Sequence, residues 1–205
     1  MHFRHIAALS FATLGIAAPA LALAQQAAPP PTAPDSWRMP YERGFWGHAG
    51  FNFGQSKLNA GDACISGFRC DEKDQTFRLY AGGRMNNAVG LEAGLFNIGT
   101  FTRGGGETGG YGVDLTLIAG VPIGANSAVF GKLGAAYART KVEGGAPGLE
   151  TGTERGWGPR YGVGAQVGLT PQWAARVDFD RYRLVFASGR EEVDAITLGA
   201  QYTFR

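Results

Sequence analysis

A chain of 205 residues is long enough for one domain with a substantial core and too short for two full domains with linkers. With 44% hydrophobic and 18% charged residues, it is neither disordered by composition nor a bundle of apolar spans, and a net charge of +2 is too small for nucleic-acid binding. The 33 glycines, roughly twice the usual share, argue against a helical protein, because each helix-interior glycine costs about 1 kcal/mol.

Residues 1–24 begin with His2, Arg4 and His5 and continue through an apolar stretch to Ala22-Leu23-Ala24. This is the pattern of an export signal cleaved before Gln25. The apolar stretch is short for a membrane span of about 20 residues, and Pro19 interrupts it. Residues 25–43 carry the run PPPTAP and read as an extended, proline-rich periplasmic linker. Cys64 and Cys70 are the two cysteines of the exported chain. An oxidising compartment predicts a disulfide between them, at the tip of the first outer loop.

From Gly44 onward no segment holds a 3.6-residue apolar period. Eight alternating runs are predicted as strands: 44–57, 75–85, 88–101, 111–123, 128–143, 159–170, 173–186 and 193–205. Between them, tight breaks at 86–87, 124–127 and 171–172 alternate with long ones at 58–74, 102–110, 144–158 and 187–192. Short turns at one end and long loops at the other predict an all-β fold over 44–205. It is an eight-stranded antiparallel up-and-down transmembrane β-barrel with short periplasmic turns and long outer loops.

Alternation assigns the faces. In Trp173–Asp180, residues Trp173, Ala175, Val177 and Phe179 share one face, and Arg176, Asp178 and Asp180 the other. The polar faces collect Arg78, Lys132, Arg160 and Arg176 against Glu92, Asp114, Asp178 and Asp180. Four charges of each sign suit a closed lumen, where buried charges must be paired. Phe45, Trp173, Tyr202 and Phe204 fall near strand ends, as interfacial aromatic girdles require.

Three segments carry a family resemblance: Gly90–Gly94, Phe130–Lys141 and Trp173–Arg183. In order and spacing they resemble the third, fifth and seventh strands of OmpA-like transmembrane barrels. The ending Thr197-x-Gly199-x-x-Tyr202-x-Phe204 is similar to the signal read by the barrel-assembly machinery, although this chain adds Arg205. The resemblance implies a Gram-negative outer-membrane protein with a periplasmic N-terminus. It implies a stand-alone monomeric barrel without the peptidoglycan-binding domain that often follows. It also implies that Glu92 and Arg176 pair inside the lumen, with Asp178 and Lys132 or Arg78 as neighbours. Gln166 falls where many members place another acid.

The sequence offers no catalytic, cofactor-binding or metal-binding constellation. His48 is the one histidine after the leader. Ser56 lies on the same strand face, but about 27 Å away at 3.3 Å per residue, too far to share a proton. Gly104-Gly105-Gly106 lacks the lysine and hydroxyl of a phosphate loop. Arg139, Lys141, Arg181 and Arg183 at outer strand ends are candidates for lipopolysaccharide contacts. The expected function is structural and surface-interacting, with outer loops open to host or surface ligands and a lumen plugged by its charges. A narrow gated channel and a lipid-modifying enzyme are the alternatives.

Overall fold

The computed structural model describes residues 46–59, 71–85, 88–103, 106–144 and 151–204. The leader, the linker, and Cys64 and Cys70 with their expected disulfide lie outside the described residues. The strands are β1 (Trp46–Asn59), β2 (Lys73–Arg84), β3 (Val89–Arg103), β4 (Gly106–Ile123), β5 (Ser127–Glu143), β6 (Gly152–Gly168), β7 (Trp173–Phe186) and β8 (Gly189–Thr203). Each pairs antiparallel with its sequence neighbours, and β8 closes on β1 through Ala200↔Phe51 and Leu198↔Phe53. Closure leaves no free strand edge, the condition for crossing hydrocarbon with strands.

The strands run further outward than composition suggests. β4 starts at Gly106 rather than Tyr111, β6 at Gly152 rather than Pro159, and β8 at Gly189 rather than Val193. The expected long loop at 187–192 is therefore a tight turn at 187–188, and most of 102–110 belongs to the ladder. Their glycine-rich sequence reads as loop. The extra residues nonetheless pair in the ladder, as in Phe101↔Thr108 and Leu184↔Glu191, so their backbone groups are satisfied.

Alternation places Phe51, Phe53, Leu95, Leu115, Leu133, Val163, Ile196 and Leu198 outside, where Leu133 and Ile196 keep 64% and 63% of their surface exposed. An apolar belt of this extent has hydrocarbon as its natural solvent. Rings bound it at both ends. Trp173, Tyr202 and Phe204 form the periplasmic girdle, with centroids 5.1 and 5.2 Å apart in sequence. Tyr111, Tyr137 and Trp157 stand at the outer limit, Tyr137 and Trp157 in contact at 5.2 Å.

A transmembrane strand needs about 9–11 residues, and these have 12 to 18. The surplus projects beyond the outer interface, and there the hydrophobic phase inverts. On β7, Val177 and Phe179 face out, whereas Leu184 and Phe186 face in and Arg181 and Arg183 face out. On β5, Leu133 and Tyr137 face out, but Val142 faces in beside outward Lys141 and Glu143. Once the wall meets water, its apolar side must turn to the only dry space left, the lumen.

Two backbone details fix this geometry. Gly199 lies where β8 approaches β1: a Cβ there would fall 1.9 Å from the Phe51 carbonyl oxygen and 2.2 Å from Asn52 Oδ1. β3 carries a bulge between Asn97 and Thr100, with Gly99 at φ +84°. Asn97 Oδ1 accepts the Gly99 N–H at 2.7 Å, and Asp74 Oδ2 accepts the Thr100 N–H at 2.5 Å.

Candidate functional site

The lumen is filled in two layers. In the lower one, alternation on β2 through β7 turns the eight expected charged side chains inward, all of them buried, and a ninth, Arg84, is buried beside the Trp46 ring at the periplasmic end of β2. Glu92 is a hub. Arg176 Nη1 and Nη2 donate to its two oxygens at 2.5 and 3.2 Å, Arg78 Nη1 donates at 3.2 Å, and His48 Nε2 lies 3.1 Å away. Arg78 also donates to both oxygens of Asp114, at 3.0 and 2.7 Å.

From Asp114 the network continues to Arg160, whose Nη1 donates at 2.6 Å. Arg160 Nη2 lies 2.9 Å from Asp180, an ion pair without hydrogen-bond alignment. Lys132 Nζ is 2.7 Å from Asp180 and 3.2 Å from Asp178. Asp178 accepts from Arg176 Nε at 3.0 Å, which returns to Glu92. The eight groups therefore form a closed cycle of alternating sign: Glu92, Arg78, Asp114, Arg160, Asp180, Lys132, Asp178, Arg176. Every charge has an opposite charge on both sides, the arrangement that offsets the desolvation of buried ions.

Aromatic faces fill the gaps between the ions. The Arg176 guanidinium lies 4.6 Å from the Tyr80 ring centroid and 4.5 Å from that of Phe130. Arg160 stands 5.1 Å from Tyr182. Such contacts suit arginine, whose plane stacks while its edge hydrogen-bonds. Asn52 Nδ2 donates to Asp178 at 2.5 Å, and Arg176 Nη1 also donates to Gln201 Oε1 at 3.1 Å. Gln166 is buried on β6 opposite Arg176.

Strand parity groups the eight charges. It does not place His48 on Glu92, Asn52 on Asp178 or the aromatic faces on the arginines. These depend on which depths meet across the lumen, which strand shear sets and alternation does not.

Above this cycle lies a layer that the rule of polar faces inside does not predict. Leu58, Phe96, Ile98, Phe101, Ala136, Ala138, Val142, Leu184, Phe186 and Val193 form one buried apolar cluster inside the barrel. Phe96 stacks on Tyr182 at 4.8 Å, joining the layers. The expectation of a lumen lined by polar faces throughout is thus corrected: its outer half is a hydrophobic core. The phase inversion along β5 and β7 was the signal that could have revealed it.

The outer rim differs among the four basic candidates. Arg181 is already engaged, donating to Asp194 at 2.5 and 2.7 Å, with Glu192 3.5 Å away. That hydrogen-bonded guanidinium, aided by Asn59 and Lys57, holds the Asp194 carboxyl below the usual carboxylate range. Arg183 sits opposite Glu192 in the ladder, and Lys141 pairs with Glu143. Arg139 instead donates to the Tyr111 hydroxyl at 3.5 Å and lies directly opposite Arg155. Arg155 falls within the segment expected as a loop, 144–158, and is instead part of β6.

Comparison with solved structures places this architecture among small outer-membrane barrels. Ail, the attachment invasion locus protein of Yersinia pestis, is 20% identical with a TM-score of 0.53, covering 80% of this chain and 100% of its own. Neisserial surface protein A is 13% identical with a TM-score of 0.58, covering 78% and 97%. The N-terminal barrel of Pseudomonas aeruginosa OprF is 14% identical with a TM-score of 0.52, covering 77% and 97%. At these identities the likeness concerns the fold alone. Comparison with curated protein sequences gave no match. Residues 11–204 match the outer membrane protein beta-barrel domain. With a closed eight-stranded wall, an apolar belt and two aromatic girdles behind that match, the chain belongs to the outer-membrane β-barrel family.

Proposed function

We propose that the protein is a closed, non-conducting barrel with a structural role in the outer membrane, meeting lipopolysaccharide and the environment at its outer rim. The observation that carries this reading is the double closure of the lumen. A charge cycle without a spare partner lies below, and a continuous apolar layer lies above. A solute crossing would have to break the first and wet the second. In planar bilayers the purified barrel is expected to stay at background conductance. Discrete, salt-dependent single-channel steps would overturn the proposal in favour of a gated channel.

The same contacts weigh against an enzyme. The His48 ring is turned to Glu92, and the Ser56 hydroxyl donates to the Ile98 carbonyl at 2.5 Å, a layer above. Among the described residues these contacts join no nucleophile to a base.

Arg139 and Arg155 support the lipopolysaccharide contact. Like charges directly opposite on one sheet face repel, and an anion between them removes that cost. Both stand outside, just beyond Tyr137 and Trp157, at headgroup level. A phosphate accepting from both guanidinium groups fits there, with Lys141 two residues further out. Arg139→Ala with Arg155→Ala is expected to lower lipopolysaccharide retention on the purified barrel at least fivefold. Arg181→Ala, whose guanidinium Asp194 occupies, should change it less than twofold. Equal losses would assign the effect to net charge alone.

A further inference from the structure

The lipid-facing wall is not uniform. Across β4, β5, β6 and β7 it sinks into a groove of about 880 Å³, with Ala119, Gly131 and Ala165 on its floor and Val121, Val163 and Val177 among its sides. The ladder explains the depression. Ala119 stands opposite Gly131, and Gly131 opposite Val163; one step towards the periplasm, Val129 stands opposite Ala165. The next row outward carries Leu117, Leu133 and Tyr161, whose larger side chains form a ledge. Small floor residues in register below a bulky row leave a trough in an otherwise full apolar belt.

Its depth identifies the leaflet. Gly131 follows the turn Gly124–Asn126 by five residues, roughly 16 Å of strand or about 12 Å of height at a tilt near 45°. That is within the periplasmic half of a hydrocarbon core about 30 Å thick. Ala88, beside the periplasmic turn between β2 and β3, also borders the groove, which therefore extends to the inner interface. Asp178 is the one charged residue along it, and its carboxylate is turned into the lumen towards Arg176 and Lys132. Nothing polar in the trough asks for a headgroup or a peptide. A stable protein partner would need roughly 800 Å² on each side, far more than a trough of this size presents.

We propose that this groove is a specific site for one acyl chain of a periplasmic-leaflet phospholipid, held against the floor of Ala119, Gly131 and Ala165. The site is separate from the lumen and from the basic outer rim.

The test fills the floor. At Gly131 a Cβ would meet only the Ala119 carbonyl oxygen, at 3.9 Å, so Gly131→Leu fits the wall and occupies the trough. Ala93→Leu is the control: it adds the same bulk outside β3, between Ala81 and Leu115, at a position that does not line the groove. Each protein is reconstituted in nanodiscs of phosphatidylethanolamine with phosphatidylglycerol, released, and weighed by native mass spectrometry. A heat-induced gel shift reports folding. Wild type and Ala93→Leu are expected to retain one phospholipid, and Gly131→Leu at least tenfold less. Equal retention by wild type and Gly131→Leu, or none by wild type, would overturn the site. So would a wild-type dimer that Gly131→Leu converts to monomer, which assigns the groove to a second copy. Should Gly131→Leu fail the gel shift, Ala165→Leu fills the same floor from the next strand and is read by the same outcomes.

Discussion

Glu92→Ala is expected to lower folding stability by about 3–5 kcal/mol, and Arg176→Ala by a similar amount. Each removal opens the charge cycle and leaves its charges unbalanced. Without Glu92, the guanidinium groups of Arg176 and Arg78 and the His48 ring all lose an acceptor. Without Arg176, Glu92 and Asp178 lose a cation, and the Tyr80 and Phe130 faces lose the group they sandwich. The cleaner comparison keeps side-chain size. Glu92→Gln and Arg176→Met together keep the charges of the cycle balanced, so the pair should cost less than the sum of the single changes, with a coupling of about 1–3 kcal/mol. Urea unfolding in lipid vesicles, followed by tryptophan fluorescence, measures the cycle. Strict additivity would mean that the two side chains are not in contact.

Phe101→Ala should cost about 3–5 kcal/mol for a different reason. Its ring is 1% exposed within the apolar layer, and truncation leaves a cavity that the paired strands cannot collapse into. The expected result is a lower unfolding midpoint with conductance still at background, because the charge cycle below remains closed. Conductance in this variant would locate the permeability barrier in the apolar layer alone.

The two variants probe layers that differed in legibility. Strand number, order and facing were readable because a two-residue period with turn signals has few alternative folds, and Trp173–Asp180 displays both faces unambiguously. The eight lumen charges were readable for the same reason. The apolar layer was not, because the reading held one rule, polar inside, along whole strands. That rule applies only where lipid is the outer solvent. Beyond Tyr137 and Trp157 the solvent is water, and Leu184, Phe186 and Val142 follow the ordinary rule of soluble cores. Glycine misled in the same region: Gly106 and Gly109 read as loop although both lie within β4.

The β3 bulge acts as a phase shifter. Before it, odd-numbered residues such as Leu91, Ala93 and Leu95 face lipid; after it, Phe101 faces the lumen. One extra residue exchanges the two sides of the wall within a single strand. Run through Gly99 without the bulge, the same residues would carry Phe101 to the headgroup side, with Thr100 and Thr102 turned towards the interior. Whether Phe101 joins the stopper at the outer mouth is thus written in the one positive-φ glycine of this strand segment.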